Sequence, residues 1–361
     1  MKLLVDIIHP ANVHYFKNFI SQMKDDGNEV RITSRNKDVS FKLMDAYNLD
    51  YINFGKGSIG GGALGKMIYL FYAAFRFTAL FIRNKPDITL SFGSAPLAFT
   101  SWFFRVPHIS FDDTEHAKLN KKLYVPLTPL VISPNCFYDD LGKNHFRFKG
   151  YMELFYLHRK RFTPNPKVLK DLNLTLDENF TLFRFVSWEA FHDIGHEGLS
   201  FKERVDLVNE AKKYGKVFIS SEDELPKELK EYEINISPEK LHDVLYYADL
   251  YIGEGGTTAS ECVMLGTPSI YINSLPLMGY LKEAQNHHLL FHLIGLRTIK
   301  KQMEKIYNSS KDIYIKRKEK MLEAVIDPTS LLIWVVNNYP ESRQKLLKTP
   351  EYQEIFKDSL I

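Results

Sequence analysis

Cysteine is almost missing: Cys136 and Cys262 are the only two in 361 residues, and they lie far apart. No zinc-binding spacing or disulfide framework follows from such a pair, and Cys262 is expected to face a core in a reducing cytoplasm. Net charge is scarce as well. With 47 Lys and Arg against 44 Asp and Glu, a balance of +3 argues against a dedicated nucleic-acid binder. No secretory leader is expected, because the apolar start Leu3–Ile8 is too short and is interrupted by Asp6. Low-complexity tracts and short-period repeats are absent too. What is present is an ordinary globular composition, 45% apolar and 25% charged, at a length that predicts two domains.

Only one long apolar run breaks that ordinariness. Leu64–Ile82 (LGKMIYLFYAAFRFTALFI) nearly matches a bilayer in length, with Lys66 and Arg76 inside it and Arg83 and Lys85 just beyond. A mid-segment arginine costs roughly 2.5 to 3.5 kcal/mol on insertion scales, which disfavours spanning. Two readings stay open: a core helix of an α/β domain, since NKPDITLSFGS follows as the next strand and turn, or a helix lying on the inner face of an anionic membrane.

Strand and helix signals alternate along the rest of the chain. LLVDII, EVRIT, DYINF, ITLSF, PHISF and LVIS read as strands, with helices over about Val13–Lys24, Ser40–Ala46 and Leu97–Phe104 between them. The pattern predicts a first Rossmann-like domain over 1–150 and a Pro- and charge-rich linker over 151–178. A second such domain follows over 179–335, built on FTLFRF, KVFIS, LYIGE and SIYIN with helices Phe201–Tyr214 and Leu241–Tyr247. The expected architecture is α/β, two doubly wound Rossmann-type domains facing across a cleft, with ligands beyond the carboxyl ends of the strands.

The chemistry is plainest at Leu250–Asn273. An apolar strand runs into Gly253, Gly255 and Gly256, and a helix then opens on Thr257 and Thr258. Glycine lets a ligand approach the backbone, while the first helical N–H groups lack partners and the macrodipole is positive there, so an anion such as phosphate fits. Glu261, one turn further in, suits the dipole and can accept two ribose hydroxyls. Gly266 and Pro268 stop the helix.

This stretch resembles the donor-binding segment of GT-B glycosyltransferases, above all the N-acetylglucosaminyltransferase of peptidoglycan synthesis, and the matching segment of UDP-N-acetylglucosamine 2-epimerase. The resemblance implies a GT-B-like fold whose helical tail, 336–361, returns to the first domain. It implies that the turn at Gly255, Gly256 and Thr258 holds a diphosphate and that Glu261 holds the ribose. It also implies that the backbone at Ile236 and Ser237 pairs with uracil and that Gln285 and Asn286, in YLKEAQNHHLLFHLIGL, read the donor sugar. HDIGHEGLS, KVFISSE and LYIGEGGTTASE look, over nearly the whole chain, like a prokaryotic family of unknown function described as predicted glycosyltransferases.

Three further clusters carry titratable groups. HPANVH, after the first strand, holds His14, a candidate base or a helix-capping histidine. FDDTEHA crowds Asp112, Asp113, Glu115 and His116 into one loop, and crowded carboxylates raise one another's pKa. It loosely resembles a His-x-Glu-Ala segment of the epimerase. FVSWEAFHDIGHEGLS carries His192, Asp193 and His196, a weak metal-ligand set; His192 is the candidate to stabilise departing UDP.

The expected activity is metal- and cofactor-free transfer of a sugar from a UDP-sugar to a glycan or lipid-linked acceptor in cell-surface polysaccharide synthesis. His14, Asp113 or Glu115 would be the base, and the protein would be cytoplasmic, with membrane contact through 64–82. The alternatives are a UDP-N-acetylhexosamine 2-epimerase using Asp113 and Glu115, and a nucleotide-sugar-binding scaffold without turnover.

Overall fold

The computed structural model describes residues 1–37, 39–58, 62–185, 199–221 and 224–357. They form two compact units, Met1–Arg161 with Ala324–Ile361, and Phe162–Glu323. The breaks therefore fall between Arg161 and Phe162 and between Glu323 and Ala324, rather than at the ends of the expected linker. Tyr151–Leu157, read as linker from composition, is buried within the first unit, and Asp327 there takes an ion pair from Arg161 at 2.8 Å.

In chain order the first unit holds β1 (Lys2–Ile7), α1 (Pro10–Asp25), β2 (Glu29–Ser34), α2 (Ser40–Ala46), β3 (Ile52–Asn53), α3 (Gly62–Arg83), β4 (Ile88–Phe92), α4 (Ala95–Phe103), β5 (His108–Phe111), α5 (Lys118–Tyr124), β6 (Leu130–Pro134), β7 (His145–Phe148) and α6 (Leu154–Leu157). The second holds α7 (Lys167–Asp171), β8 (Phe180–Phe185), α8 (Phe201–Ala211), β9 (Lys216–Ser221), α9 (Leu241–Tyr247), β10 (Leu250–Gly253), α10 (Gly256–Leu265), β11 (Ser269–Tyr271), α11 (Gly279–Asn286), β12 (Leu290–His292), α12 (Leu296–Tyr307) and α13 (Lys311–Met321). The chain then returns to the first unit with α14 (Pro328–Asn337) and α15 (Glu341–Lys348), and α14 packs on α1 and α6.

Both sheets are parallel. The first runs β3-β2-β1-β4-β5-β6-β7 and the second β12-β11-β10-β8-β9. Helices cover both faces of such sheets, which is why β10 and β5 are buried along their whole length instead of alternating. The order reverses between β1 and β4 in one unit and between β8 and β10 in the other. Those switch points open a crevice beyond the carboxyl ends of the strands.

Local chemistry sets the helix ends. His9 caps α1, its Nδ1 accepting the Ala11 N–H at 3.3 Å, and Pro10 takes the first helical position where no N–H is needed. This explains why α1 starts before the apolar periodicity does. α10 ends on Gly266 at φ 89°, a left-handed residue that turns the chain toward β11.

α3 is two-sided. Tyr69, Ala73, Phe77 and Phe81, one turn apart, pack inward, yet only 28% of its most apolar 18-residue window is buried. By length and composition it is the one helix among the described residues apolar enough to cross a membrane.

Candidate functional site

The glycine turn after β10 lies at the switch point of the second sheet, since β10 pairs with β8 on one side and β11 on the other. Gly253 is required by close packing: a Cβ there would sit 2.3 Å from the Tyr251 hydroxyl and 2.8 Å from the Arg184 carbonyl. Gly255 is the N-cap of α10; it offers no side-chain cap, and the first turn holds no acid. Ala259 is the first residue whose N–H reaches back to it, at 3.1 Å. The N–H groups of Gly256, Thr257 and Thr258 thus precede the intrahelical ladder, at the positive end of the dipole. A Cβ on Gly256 would come 3.3 Å from the Tyr280 hydroxyl, so the first turn of α11 flanks this mouth.

Glu261 follows on α10 and is only 5% exposed. Its Oε1 lies 3.0 Å from Nε2 of His242, itself buried on α9 with Phe162 edge-on to its ring. His242 did not stand out in the sequence. Ile236, half-buried, and Ser237, exposed, lead through a 3-10 turn at Pro238–Lys240 into α9. The expected uracil and ribose residues are in this way joined by one short element that packs on α10.

Glu254, inside the glycine turn, is also buried. Its carboxylate accepts the Leu199 N–H at 2.9 Å and pairs with Arg204 at 3.3 Å, which directs its charge to the start of α8.

Gln285 and Asn286 are placed differently from the expectation. They close α11, and the helix leads from its first turn beside Gly256 back to the amino end of β12. Two residues later His288 takes φ 55° and the chain turns into β12, so YLKEAQNHHLLFH is a helix, a left-handed residue and a strand. The helix face beside the glycine turn belongs to Met278, Tyr280 and Leu281 instead. His192, with Asp193 and His196, lies outside the described residues.

In the first unit the carboxylate loop follows β5. Asp112 is 4% exposed; it accepts the Tyr124 hydroxyl and the Thr114 N–H at 2.8 Å. Glu115 is buried and accepts the Tyr138 N–H at 3.3 Å, while Lys121 donates to the Glu115 carbonyl at 2.9 Å and pairs with Asp139. Asp113 is half-buried and accepts the Thr114 hydroxyl at 2.9 Å. Burial, then the charges of Asp112 and Glu115, push its carboxyl up to about 7. Burial also raises Asp112, against the Tyr124 hydrogen bond. His116 is exposed.

His14 is held on the inner side of α1. Its ring stacks on Tyr156 at 5.1 Å, and Nδ1 lies 3.4 Å from the Tyr47 hydroxyl. It is His9, not His14, that caps the helix. A cavity of about 660 Å³ opens at Pro107, Thr128, Pro129 and Asn144, just before β5, β6 and β7. That is the amino end of the sheet, opposite the carboxylate loop, and we do not assign it to the chemistry.

A family model described as protein of unknown function, DUF354, matches residues 1–341. The chain belongs to this family. An uncharacterized protein of Methanocaldococcus jannaschii is 25% identical over 352 residues, 93% of this chain and 97% of its own. Among solved structures, a UDP-GlcNAc 2-epimerase from Neisseria meningitidis bound to UDP-GlcNAc is similar at a TM-score of 0.63 and 12% identity, over 98% of this chain and all of that one. MurG of Acinetobacter baumannii is similar at a TM-score of 0.57 and 12% identity, over 93% and 99%. At such identities the likeness is one of fold: the protein is a GT-B-like α/β protein with two Rossmann-type sheets.

Proposed function

We propose that the second unit binds a UDP-sugar at the amino end of α10 and that the protein transfers the sugar to an acceptor hydroxyl of a glycan or lipid-linked substrate. The observation that carries this reading is the uncapped first turn at Gly255–Thr258, sited at a switch point with Glu261 one turn behind. The diphosphate rests on the backbone amides, and Glu261, oriented by His242, accepts the ribose hydroxyls. Ile236 and Ser237 supply backbone to the base. Tyr280 replaces Gln285 and Asn286 as the α11 residue beside the donor. In transfer the acceptor oxygen bonds to the anomeric carbon, the bond from that carbon to the UDP oxygen breaks, and the acceptor proton passes to a base. Asp113 is the base we favour over Glu115 and His14, because those two are more deeply held by their neighbours. His192 remains the candidate partner of the departing UDP.

Calorimetry with UDP tests the donor half. Glu261→Gln keeps the shape beside His242 and is expected to weaken UDP about tenfold, or about 1.4 kcal/mol, at unchanged melting temperature. Unchanged affinity would remove the ribose role.

The Asp113 carboxyl, poised near neutrality among other acids, also suits epimerisation by elimination and re-addition. Incubation with UDP-GlcNAc alone separates the two activities: a UDP-ManNAc signal means epimerisation, whereas free UDP released only with an acceptor means transfer.

A further inference from the structure

The outer side of α3 does not stand alone. Phe71, Phe75 and Ile82 are each 72% exposed, on the side of the helix opposite its buried Tyr69–Phe81 stripe. From Leu64 to Ile82 this apolar stripe runs about 27 Å at helical rise. α4 packs beside α3 and α5 beside α4, and both add to the same surface. On α4, Phe99, Trp102 and Phe103 are 48%, 58% and 66% exposed, one turn apart; on α5, Leu119 is 75% exposed. Exposed apolar residues scattered singly are ordinary, but three adjoining helices presenting large apolar side chains to water are not.

Charge identifies the occupant. Between Tyr51 and Phe111 the chain holds six basic residues, Lys56, Lys66, Arg76, Arg83, Lys85 and Arg105, and one acid, Asp87, in a protein that is otherwise almost balanced. α5 adds Lys118 and Lys122, exposed, and no acid. A protein partner with an apolar patch would account for the aromatics alone. A surface that combines a hydrocarbon boundary with negative headgroups accounts for the aromatics, the basic rim and the missing acids together.

We infer that the α3–α4–α5 face of the first unit docks on an anionic lipid bilayer, with α3 lying in the interface and its aromatics below the headgroups. This is independent of the donor reading, since it involves neither the α10 mouth nor any nucleotide.

Vesicle flotation of the full chain, without nucleotide, tests it. At low salt the protein is expected to float with phosphatidylglycerol-containing vesicles and to bind pure phosphatidylcholine at least tenfold more weakly, with 0.5 M salt reducing the anionic binding. The double variant Phe71→Glu and Phe75→Glu, at sites too exposed to disturb the core, is expected to lose at least tenfold in partitioning at unchanged melting temperature. Absence of flotation at low salt, or equal flotation of the variant, would overturn the proposal. So would a wild-type dimer in sedimentation that the same substitutions dissolve, which would make a second copy the occupant.

Discussion

The two candidate loops are built from opposite materials. After β10 the site is backbone: a glycine turn, three helical N–H groups and one carboxylate fixed by a histidine. After β5 it is side chains, with the carboxyls of Asp112, Asp113 and Glu115 accepting the Tyr124 hydroxyl, the Thr114 hydroxyl and the Tyr138 N–H. A backbone site carries little that titrates and tolerates no added atoms. A side-chain site tolerates atoms but answers to pH. The division matches the proposed roles, a rigid cradle for a diphosphate and a tunable acid–base group.

The sharpest way to break the contrast is Gly253→Ala. One methyl group meets a hydroxyl and a backbone carbonyl well inside contact distance, so the variant is expected to lose about 3 kcal/mol in urea unfolding. A loss below about 0.5 kcal/mol would mean the turn is looser than described. Tyr124→Phe comes next. It leaves the buried Asp112 with the Thr114 N–H but without its hydroxyl donor, at a cost of about 1 to 3 kcal/mol. Gly253→Ala should act equally at pH 5 and pH 8, whereas Tyr124→Phe should cost more at pH 8, where Asp112 carries more charge.

The smallest effect is expected from Asp113→Asn. Because the folded pKa of Asp113 is raised to about 7, the native state binds a proton that the unfolded chain releases near the ordinary value of 3.8. Stability then falls as pH rises between those two values, and is lowest above them. The substitution should be nearly neutral at pH 4 and stabilise at pH 8 by on the order of 1 kcal/mol, a fraction of what the full shift converts to, because water screens a carboxyl that is only half-buried. Thermal melts at the two pH values check this; equal shifts would place the Asp113 carboxyl in water.

Much of this was legible in residues. Continuous apolar runs bounded by turns marked the strands, and the glycine turn with its helix start marked the α10 mouth. β7 and β12 were missed because HFRF and LFH are short and lie within stretches whose chemistry reads as loop or helix. The α11 segment misled because nothing in QNHH announces that His288 will turn left-handed. Within the sites, the His242–Glu261 pair spans 19 residues and the Glu254–Arg204 pair 50, and no local period encodes a contact made only when α9 or α8 packs against the turn. The face on α4 and α5 was likewise invisible, since a helix over Leu97–Phe104 does not say which side Phe99 and Trp102 take until it packs on the sheet.

The central claim is that the amino end of α10 receives a diphosphate. A crystal structure with UDP tests it most directly: the account predicts phosphate oxygens within hydrogen-bond reach of the Gly256, Thr257 and Thr258 amides, with the ribose against Glu261. UDP bound elsewhere, or no UDP in the crystal at millimolar concentration, would contradict it.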